Sequence, residues 1–391
     1  MFSFDETPSS SFLKSEVKKF RVLIFPHTGA YSIPQGVEAD PTQVDVASAG
    51  NCSSFLAVKN SAQEWIPQGT VLSVANQFHF DLAQFKKTKQ GPLYFTCSGA
   101  FVVQRAAPLK SFEYSGDFVV LPDQTQIDLI NVLDAETYLK GVVPSEVENT
   151  WPVETLKAQA VAARTFAWWS VLDSRQSDSN FDLDDTVLYQ AYLGNYQRIA
   201  ATDAAVDQTN NILMKYNGQI IKAYFYADSG GYTEDASSVF GIDLPYCQAK
   251  PEQYDVLAAA SLSDWQMQFT VAELSTLLAA ANLIPATVSV IQINFGAGDL
   301  DRSGRVSTLH LLGSDNKKYE VSGPEFRYAT KIRSTLFQIS TTSSGFVFNG
   351  KGFGHGVGMA QVGALEYASQ LQWTFDQILK FYYTGVTLTN D

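Results

Sequence analysis

Residues 138 to 169 read YLKGVVPSEVENTWPVETLKAQAVAARTFAWW, and this stretch decides the expected fold. An apolar segment followed by Pro144 predicts a turn that presents Ser145 and Glu146. The pair Trp151–Pro152 predicts the start of a helix, because proline lacks an N–H group and suits the first helical position. The stretch therefore predicts an apolar segment, a turn that carries an acid, and a long helix.

The predicted helix is rich in alanine, and its apolar residues recur at the i, i+3, i+4 spacing of one helix face. Asn149 or Thr150 can cap it by accepting a hydrogen bond from one of its first N–H groups. Its alanines, which allow neighbouring elements to approach closely, are Ala158, Ala160, Ala162, Ala163 and Ala167. Lys157 and Arg164 lie on the next face among apolar residues, so they are either solvated or semi-buried.

Glu146 is the candidate acid of this stretch. Val147 follows it directly and Trp151 lies close by in the sequence. An apolar wall raises the pKa of a carboxyl group by disfavouring its charged form, which produces an acid able to donate a proton at neutral pH. A glutamate near a helix start is alternatively a favourable partner of the helix dipole.

The stretch resembles the signature of the stage II sporulation protein D family, lytic transglycosylases of peptidoglycan. The family pattern is similar to YLxGVVPSEhxxxWPxEALKAQAVAARTYA, and the chain follows it from Tyr138 to Ala167 nearly residue for residue. The departures are Val147, Thr155 and Phe166, and none removes a titrating group that the chemistry needs. Other motifs occur in the family's order, at Gln190–Gly194, Ser229–Thr233, Arg327–Phe337 and Gly354–Ala364.

The resemblance covers about residues 113 to 388 and implies an α+β fold. We expect a mixed, barrel-like β-sheet core around the central alanine-rich helix, with an N-terminal β-rich lobe. The expected organisation is a disordered tail at 1–17, a β-rich region at 18–112 and a catalytic core at 113–391. A helical insertion is expected near 263–282 within that core.

The resemblance also implies the site residues. Glu146 is expected to be the single catalytic acid, with Arg164 or Lys157 steadying its deprotonated form or a lactyl carboxylate. Glu146, the Ser229–Gly231 turn and His355 are expected to line one cleft. The residues expected to bind substrate are Arg164, Lys157, Gln190, Tyr226, Ser229, Gly230, Gly231, His355 and Gln361.

The segment Gly352–Ala364 contains five glycines, which let backbone approach backbone or a ligand closely. His355 within it is either a sugar-binding residue or a histidine satisfied inside the core. Certain family members hold a metal with Cys and His near the Ser229 turn, but this chain has Tyr226, Ser229 and Tyr232 there, which are poor zinc ligands. No metal and no cofactor is therefore expected.

The acidic segment Asp299–Gly304 resembles the first half of a calcium loop. The glutamate that closes such a loop is missing, because position 310 is His310, so a polar turn is the favoured interpretation.

The implied reaction is non-hydrolytic cleavage of the MurNAc–GlcNAc bond to 1,6-anhydroMurNAc ends, on glycan strands stripped of peptides. Ordinary glycosidases need two carboxylates, so a hydrolase with a second acid such as Asp228, Glu234 or Asp235 stays open. A non-catalytic glycan-binding enhancer of a cell-wall amidase is the other alternative. The expected partners are accordingly peptidoglycan glycan strands and a cell-wall amidase.

Composition narrows the class of protein further. The chain has 391 residues, 45% of them hydrophobic and 17% charged, which suits a globular protein with a sizeable core. Its formal net charge of −13 argues against nucleic acid or an anionic membrane as a partner. The sequence contains no run of about 18 apolar residues, which is the pattern that predicts a membrane-spanning helix.

The family acts outside the cytoplasm, so we expect an extracytoplasmic protein, in the periplasm or cell envelope, whose signal sequence has been removed. Three cysteines are too few for a disulfide scaffold. Export would permit Cys52 and Cys97 to pair and leave Cys247 free, whereas buried free thiols are the favoured interpretation.

Overall fold

The computed structural model describes residues 17–25, 43–105, 110–252 and 263–390. The tail expected at 1–17 lies outside the described residues except for Val17. The chain divides into two compact units, which we call the N-terminal unit (residues 7–222 with 388–391) and the C-terminal unit (residues 223–387). The division after residue 222 falls inside the region expected to form one core.

The N-terminal unit is built on one large, mostly antiparallel sheet. Its strands are β1 (Phe20–Phe25), β2 (Gln43–Lys59), β3 (Trp65–Asp81), β4 (Leu93–Cys97), β5 (Phe101–Arg105), β6 (Lys110–Tyr114), β7 (Asp117–Pro122), β8 (Ile127–Leu133) and β9 (Leu183–Asp184). Among the described residues their order is β6-β5-β2-β4-β7-β8-β1-β9, with β3 on β2. The sheet curls into a half-barrel, so the mixed α+β prediction is confirmed.

Residues on both sides of the boundary expected near residue 113 belong to this one sheet. Strand β4 of the β-rich region pairs with β7, which pairs with β8, and every residue of β8 is buried. The β-rich region and the start of the expected core therefore share one sheet.

Four helices of the N-terminal unit lie among the described residues. They are α1 (Leu82–Thr88), α2 (Ala135–Glu146), α3 (Val153–Ser174) and α4 (Ala200–Gln208), and a 3-10 turn covers Arg175–Ser177. A small sheet contains β10 (Ile212–Tyr216), β11 (Gln219–Ile220) and the last strand, Thr387–Asn390.

The turn predicted at Pro144 is wrong, because α2 continues through Pro144 and ends two residues later at Glu146. The helix predicted from Pro152 is confirmed, since α3 begins at Val153. Its predicted cap is wrong: Pro152 occupies the N-cap position, and no side chain caps the helix.

Helix α3 is the central helix of this unit. From Thr155 to Leu172 it is buried at every position except Lys157, which is half-buried. The rings of Trp168 on α3 and Phe20 on β1 meet edge to face at 4.9 Å between centroids, so the sheet packs on this helix. The small alanine side chains allow this close packing, as their spacing predicted.

The C-terminal unit contains smaller sheets and helices. Its strands are β12 (Phe225–Tyr226), β13 (Asp264–Thr270), β14 (Val290–Asn294), β15 (Thr308–Gly313), β16 (Lys318–Ser322), β17 (Phe337–Thr341), β18 (Gly345–Lys351) and β19 (Met359–Ala360). Its helices are α5 (Ala236–Phe240), α6 (Val271–Ala280), α7 (Gly323–Thr330), α8 (Gln361–Leu371) and α9 (Phe375–Tyr382), with a 3-10 turn at Ala297–Asp299. The sheets are β12-β19, β13-β18-β17 and β14-β15-β16.

The helical insertion predicted at 263–282 is wrong in its first half. Residues Asp264–Thr270 form strand β13, in which buried Trp265 and Phe269 alternate with exposed polar residues. Only Val271–Ala280 is helical, and a capping box between Thr270 and Glu273 starts that helix. The period-2 alternation is the signal that the helical interpretation overlooked.

Cys52 and Cys97 form a disulfide, and they face each other directly on the paired strands β2 and β4. The favoured interpretation of three free thiols is therefore wrong for these two residues. Cys247 is a buried free thiol. Within the part of the chain that the structure describes, no helix is both long and apolar enough to cross a membrane.

Candidate functional site

Glu146 is the last residue of α2 and is half-buried. The backbone N–H of Ala191 donates a hydrogen bond of 2.6 Å to its Oε1 atom. An open cleft of about 710 Å³ in the N-terminal unit is lined by Pro144–Thr150 and by Tyr196–Ile199. The candidate acid therefore faces a cavity from the end of a helix, rather than from the turn that the sequence predicted.

Gln190 positions the backbone that meets Glu146. Its side chain is fully buried; its Nε2 donates to the carbonyl of Ala163 at 3.1 Å, and its Oε1 accepts from the Tyr138 hydroxyl at 3.3 Å. These two bonds tie the residue before Ala191 to α3 and α2. Gln190, expected to bind substrate, instead holds the loop that contacts the acid.

Arg164 is fully buried and is fixed by partners inside the unit. Its Nε and Nη2 atoms bind the two carboxylate oxygens of Glu136 at 2.8 and 2.7 Å, and Nη2 also donates to the carbonyl of Val206 at 3.1 Å. This bidentate geometry is the strong form of an arginine–carboxylate pair. The contacts correct the expectation that Arg164 steadies Glu146 or a substrate carboxylate, since they give it the role of joining α2, α3 and α4.

Lys157 forms an ion pair of 2.9 Å with Glu154, one helical turn away on α3. Its side chain is 18% exposed. A pair of this kind on a helix contributes only a few tenths of a kcal/mol, so it places Lys157 without making it essential to the fold. Its predicted contact with Glu146 or a substrate stays a prediction.

Three lining residues of the Glu146 cleft were missed by the sequence reasoning. Tyr196 is 62% exposed and its ring packs on that of Phe112 at 5.6 Å. Arg198 is a cation held by Asp203 at 2.7 Å, and this carboxylate raises the pKa of Arg198. Glu148 is an exposed second carboxylate in the same cleft.

Two glycines, one in each of two sequence motifs, were the feature of the sequence that could have pointed to these missed residues. Gly141 lies in the first motif and Gly194 in the second, and a Cβ atom on Gly141 would come within 2.6 Å of the Gly194 carbonyl oxygen. The segment that contains Tyr196 and Arg198 therefore follows a point where two motifs touch.

In the C-terminal unit the structure brings the Ser229–Gly231 turn next to the Gly352–Ala364 segment. Strands β12 and β19 pair in parallel, and Asp228 forms a backbone bridge with Phe353. Gly352 has a φ angle of +77°, and a Cβ atom there would lie 2.9 Å from the Asp228 carbonyl oxygen. The close backbone approach predicted from the glycines is thus present.

His355 uses both ring nitrogens within this unit. Its Nε2–H donates to the carbonyl of Phe225 at 3.0 Å, and its Nδ1 accepts from the Val357 N–H at 3.1 Å. Burial, helped by the positive charge of Arg327, lowers the pKa of His355 to about 3, so the ring is neutral. These contacts argue against the expected hydrogen bonds to sugar and favour the satisfied core histidine.

The remaining predicted binding residues lie in the same unit. Tyr226, Ser229 and Gln361 are buried, whereas Gly230 and Gly231 are half-buried. Glu146 belongs to the N-terminal unit and these residues belong to the C-terminal unit. The cleft expected to unite them stays a prediction.

The three carboxylates considered for a hydrolase, Asp228, Glu234 and Asp235, lie in the C-terminal unit and have hydrogen-bond partners there. Glu234 is 1% exposed; burial, together with a hydrogen bond to Asp301, raises its pKa to about 7. Asp228 is buried and accepts from the Gly230 N–H at 2.7 Å. Asp235 accepts from a backbone N–H at 2.7 Å.

The polar turn predicted at Asp299–Gly304 is held by its own bonds, because Asp301 accepts from the backbone N–H groups of Ser303 and Arg305 at 3.1 and 3.0 Å. Over the described residues, no group of three or more His, Cys, Asp or Glu side chains is arranged to hold a metal ion.

Two family models match separate segments of the chain, one in each of its two units. A family model described as stage II sporulation protein matches residues 123–216, which include Glu146, Gln190 and Arg164. A second, described as a domain of unknown function (DUF8618), matches residues 252–358.

The chain is similar to several curated proteins. An uncharacterized protein of Brachyspira hyodysenteriae is 33% identical over 324 residues, which is 82% of each chain. The stage II sporulation protein D of Bacillus amyloliquefaciens is 30% identical over 267 residues, 65% of this chain and 74% of that protein. The amidase enhancer of Bacillus subtilis is 30% identical over 293 residues, 64% of this chain but 40% of its own length.

Proposed function

Because the chain belongs to the stage II sporulation protein D family, we propose that it is a peptidoglycan lytic transglycosylase with Glu146 as its acid. It cleaves the MurNAc–GlcNAc bond without water, leaves 1,6-anhydroMurNAc ends and acts on glycan strands stripped of peptides. The observation that carries the proposal is a half-buried carboxyl group that lines an open cleft and is fixed by a backbone N–H.

In the proposed reaction, protonated Glu146 donates its proton to the glycosidic oxygen as the bond from that oxygen to the anomeric carbon breaks. The resulting carboxylate takes the proton of the MurNAc C6 hydroxyl, and the C6 oxygen bonds to the anomeric carbon. The proton that left Glu146 is thereby replaced, and no water is consumed. The Ala191 N–H donates to the carboxylate in the state between the two transfers.

The substrate's own hydroxyl makes a second protein carboxylate unnecessary. An intramolecular nucleophile has a very high effective concentration, so it does not need a separate base to activate a water molecule. Arg198 in the cleft is a cation within the same set of lining residues, and it suits the lactyl carboxylate that MurNAc carries.

The test compares two glutamine variants of glutamates that line one cleft. Glu146→Gln keeps the size of the side chain but cannot donate or accept the proton, so cleavage should fall by roughly 10²–10⁴. Glu148→Gln is the matched control and should retain most of the cleavage. The measurement is mass spectrometry of the products from peptide-stripped glycan, with the digestion also run in heavy-oxygen water.

Anhydro ends without heavy oxygen are the expected product. Reducing ends that carry heavy oxygen, together with equal losses in both variants, would identify a hydrolase that uses both carboxylates. Full activity of Glu146→Gln would mean that another residue is the acid.

A second candidate function is a glycan-binding enhancer of a cell-wall amidase, and the similarity to an amidase enhancer favours it. In this case wild type would bind glycan without cleaving it and would raise the rate of an added amidase. Glu146→Gln would raise that rate equally, because the enhancer does no chemistry of its own. Anhydro products from wild type alone would eliminate a purely non-catalytic role.

We also propose an extracytoplasmic location. The Cys52–Cys97 disulfide supports it, because such bonds persist in oxidising compartments and are rare in the cytosol. Alkylation of cells before and after reduction measures this: Cys52 and Cys97 should react only after reduction, and Cys247 without it once the protein is denatured. Reaction of all three without reduction would contradict the proposal.

A further inference from the structure

Phe353, in the C-terminal unit, is a large apolar side chain that the backbone holds out in solvent. It is 47% exposed. Two backbone hydrogen bonds with Asp228, of 2.8 and 2.9 Å, fix the residue in place. Gly352 and Gly354 flank it with φ angles of +77° and +121°, and a Cβ atom on Gly354 would lie 2.6 Å from the Cβ atom of Tyr226. The exposure of this ring therefore follows from a path of the chain that needs glycine on both sides.

Arg333 lies over the exposed ring of Phe353. Its guanidinium carbon is 5.7 Å from the ring centroid, within the range of a cation–π contact. The residue is exposed, and no carboxylate in the part of the chain that the structure describes forms an ion pair with it. A guanidinium group stays charged at any physiological pH. Arg333 and Phe353 thus present a positive charge and an apolar ring side by side.

A second cation converges on the same backbone. The Nε–H of Arg327 donates to the carbonyl oxygen of Arg333 at 3.0 Å, and the N–H of Gly354 donates to that same oxygen at 2.9 Å. The Arg327 guanidinium therefore ends beside the residue that follows Phe353. Partial desolvation, and next the positive charge of Arg327, lower the pKa of Lys331, so a third cation lies within electrostatic reach.

This surface has the opposite sign of charge to the chain as a whole. Residues 327–333 contain three cations and no acid, whereas the formal net charge of the chain is −13. Like charges held close together repel, and an anion bound beside them relieves that repulsion. The planar fork of N–H donors on arginine matches a carboxylate, and the neighbouring ring offers an apolar contact. The surface therefore fits a carboxylate group attached to a body with an apolar face.

We propose that Arg333, Arg327 and Phe353 recognise the lactyl carboxylate of MurNAc in a glycan strand stripped of its peptides. The carboxylate accepts from the Arg333 guanidinium, the charge of Arg327 adds to the attraction, and the apolar face of the sugar packs on the Phe353 ring. In an intact strand the lactyl carboxyl group forms an amide bond to the stem peptide and carries no charge, so the surface distinguishes the two kinds of strand. The choice of sugar rests on the proposed function, whereas the recognition chemistry rests on these three residues.

The experiment places a reporter on this surface, in the full chain that carries Glu146→Gln so that no sugar is cleaved. Phe353→Trp keeps an aromatic ring and adds one indole N–H signal in NMR to those of the six native tryptophans. The probe is a GlcNAc–MurNAc tetrasaccharide with free lactyl carboxylates, compared with the same tetrasaccharide whose carboxylates are converted to neutral methylamides. We expect a saturable shift of the added signal and about three- to tenfold tighter binding of the acid form, a preference that salt reduces.

A matched pair of glutamine variants assigns the preference to Arg333. Arg333→Gln removes the cation over the ring, so the acid and methylamide probes should then bind equally. Lys317→Gln removes one positive charge, 75% exposed, from the turn between β15 and β16 and should leave the preference unchanged. If Phe353→Trp fails to fold, calorimetry of both probes with and without Arg333→Gln measures the same preference.

Equal binding of the two probes before any change to Arg333 would overturn the inference, as would no shift of the added signal at millimolar probe. Equal loss of the preference in Arg333→Gln and Lys317→Gln would overturn it too. A shift caused by an acidic peptide and not by the tetrasaccharide would replace the sugar with a protein partner. These failures are separable from failure of the proposed function: loss of the preference leaves anhydro products from wild type intact, and the absence of those products leaves the preference intact.

Discussion

Replacing Arg164 with methionine should destabilise the fold and leave the proposed cleavage activity largely intact. Methionine keeps most of the side-chain length but removes the bidentate bonds to Glu136 and the bond to the Val206 carbonyl. The Thr209 hydroxyl, 3.4 Å from Nη1, also loses a neighbour. Arg164→Met therefore removes the hydrogen bonds that join α3 to α2 and α4.

The size of the effect follows from burial. Breaking a buried ion pair by removing one partner costs about 3–5 kcal/mol, because the other charge is left without compensation. Glu136 retains 22% exposure, so water relieves part of its cost and the lower end, about 3 kcal/mol, applies. In a unit of this size each kcal/mol lowers Tm by about 2–4 °C, which gives about 6–12 °C.

The assay is thermal unfolding by circular dichroism, with cleavage measured well below the lowered Tm. Lys140→Met is the matched control, since Lys140 lies on α2 in an ion pair of 2.7 Å with the exposed Asp207. Water screens such a pair, so its loss should cost less than about 1 kcal/mol. The double variant Arg164→Met/Glu136→Gln should recover part of the lost stability, because it also removes the carboxylate charge that Arg164→Met leaves without its arginine. An unchanged Tm with cleavage lost by 100-fold or more would refute the structural role.

Three further predictions concern stability. Burial raises the pKa of Glu234 from 4.5 to about 7, so the native chain keeps a proton that the unfolded chain releases. The contribution of Glu234 to the free energy of unfolding is therefore full below about pH 4.5 and falls by up to about 3 kcal/mol as the pH rises to 7. Denaturant melts at several pH values should show this slope, and Glu234→Gln should flatten it. Reduction of the Cys52–Cys97 disulfide, which spans 45 residues, should cost about 4 kcal/mol, measured as a fall in Tm with reductant that the Cys52→Ser/Cys97→Ser variant does not show. Gly358→Ala should destabilise by more than Gly218→Ala, since both have φ near +80° but only at Gly358 would a Cβ atom meet a carbonyl oxygen, at 2.0 Å; equal losses of Tm would mean that the clash is relieved.

The parts of the fold that the sequence predicted are those with local causes. The sequence Asn217–Gly218 is by itself a strong signal for a tight hairpin turn, because few other residue pairs adopt that turn at low cost. The turn is present, with φ angles of +49° and +80°. The central helix follows from its own alanine-rich pattern. Strand β13 also carried a local signal, but the apolar run of the following helix concealed it.

The parts that could not be predicted depend on contacts between distant residues. The partner of Arg164 lies 28 positions earlier on another helix, and the N–H that meets Glu146 comes from a residue 45 positions later. Spacing within one helix left Arg164 either solvated or semi-buried, and it could not show which acid would pair with it. Single-sequence patterns identify which residues are candidates and leave their partners open.

Three glutamates on and just after helix α2 differ in what each can do. Glu136 is committed to a buried arginine, and Glu148 is exposed to solvent at the rim of the cleft. Glu146 alone of these three combines a fixed orientation with a place in the cleft lining, through a hydrogen bond from a backbone that Gln190 anchors. General acid catalysis needs an acid held in position against the bond it protonates, and a hydrolase would need a second group held equally well to direct water. Glu148, without such an anchor in the described structure, is a poor second group, which supports the proposed reaction in which the sugar supplies its own nucleophile.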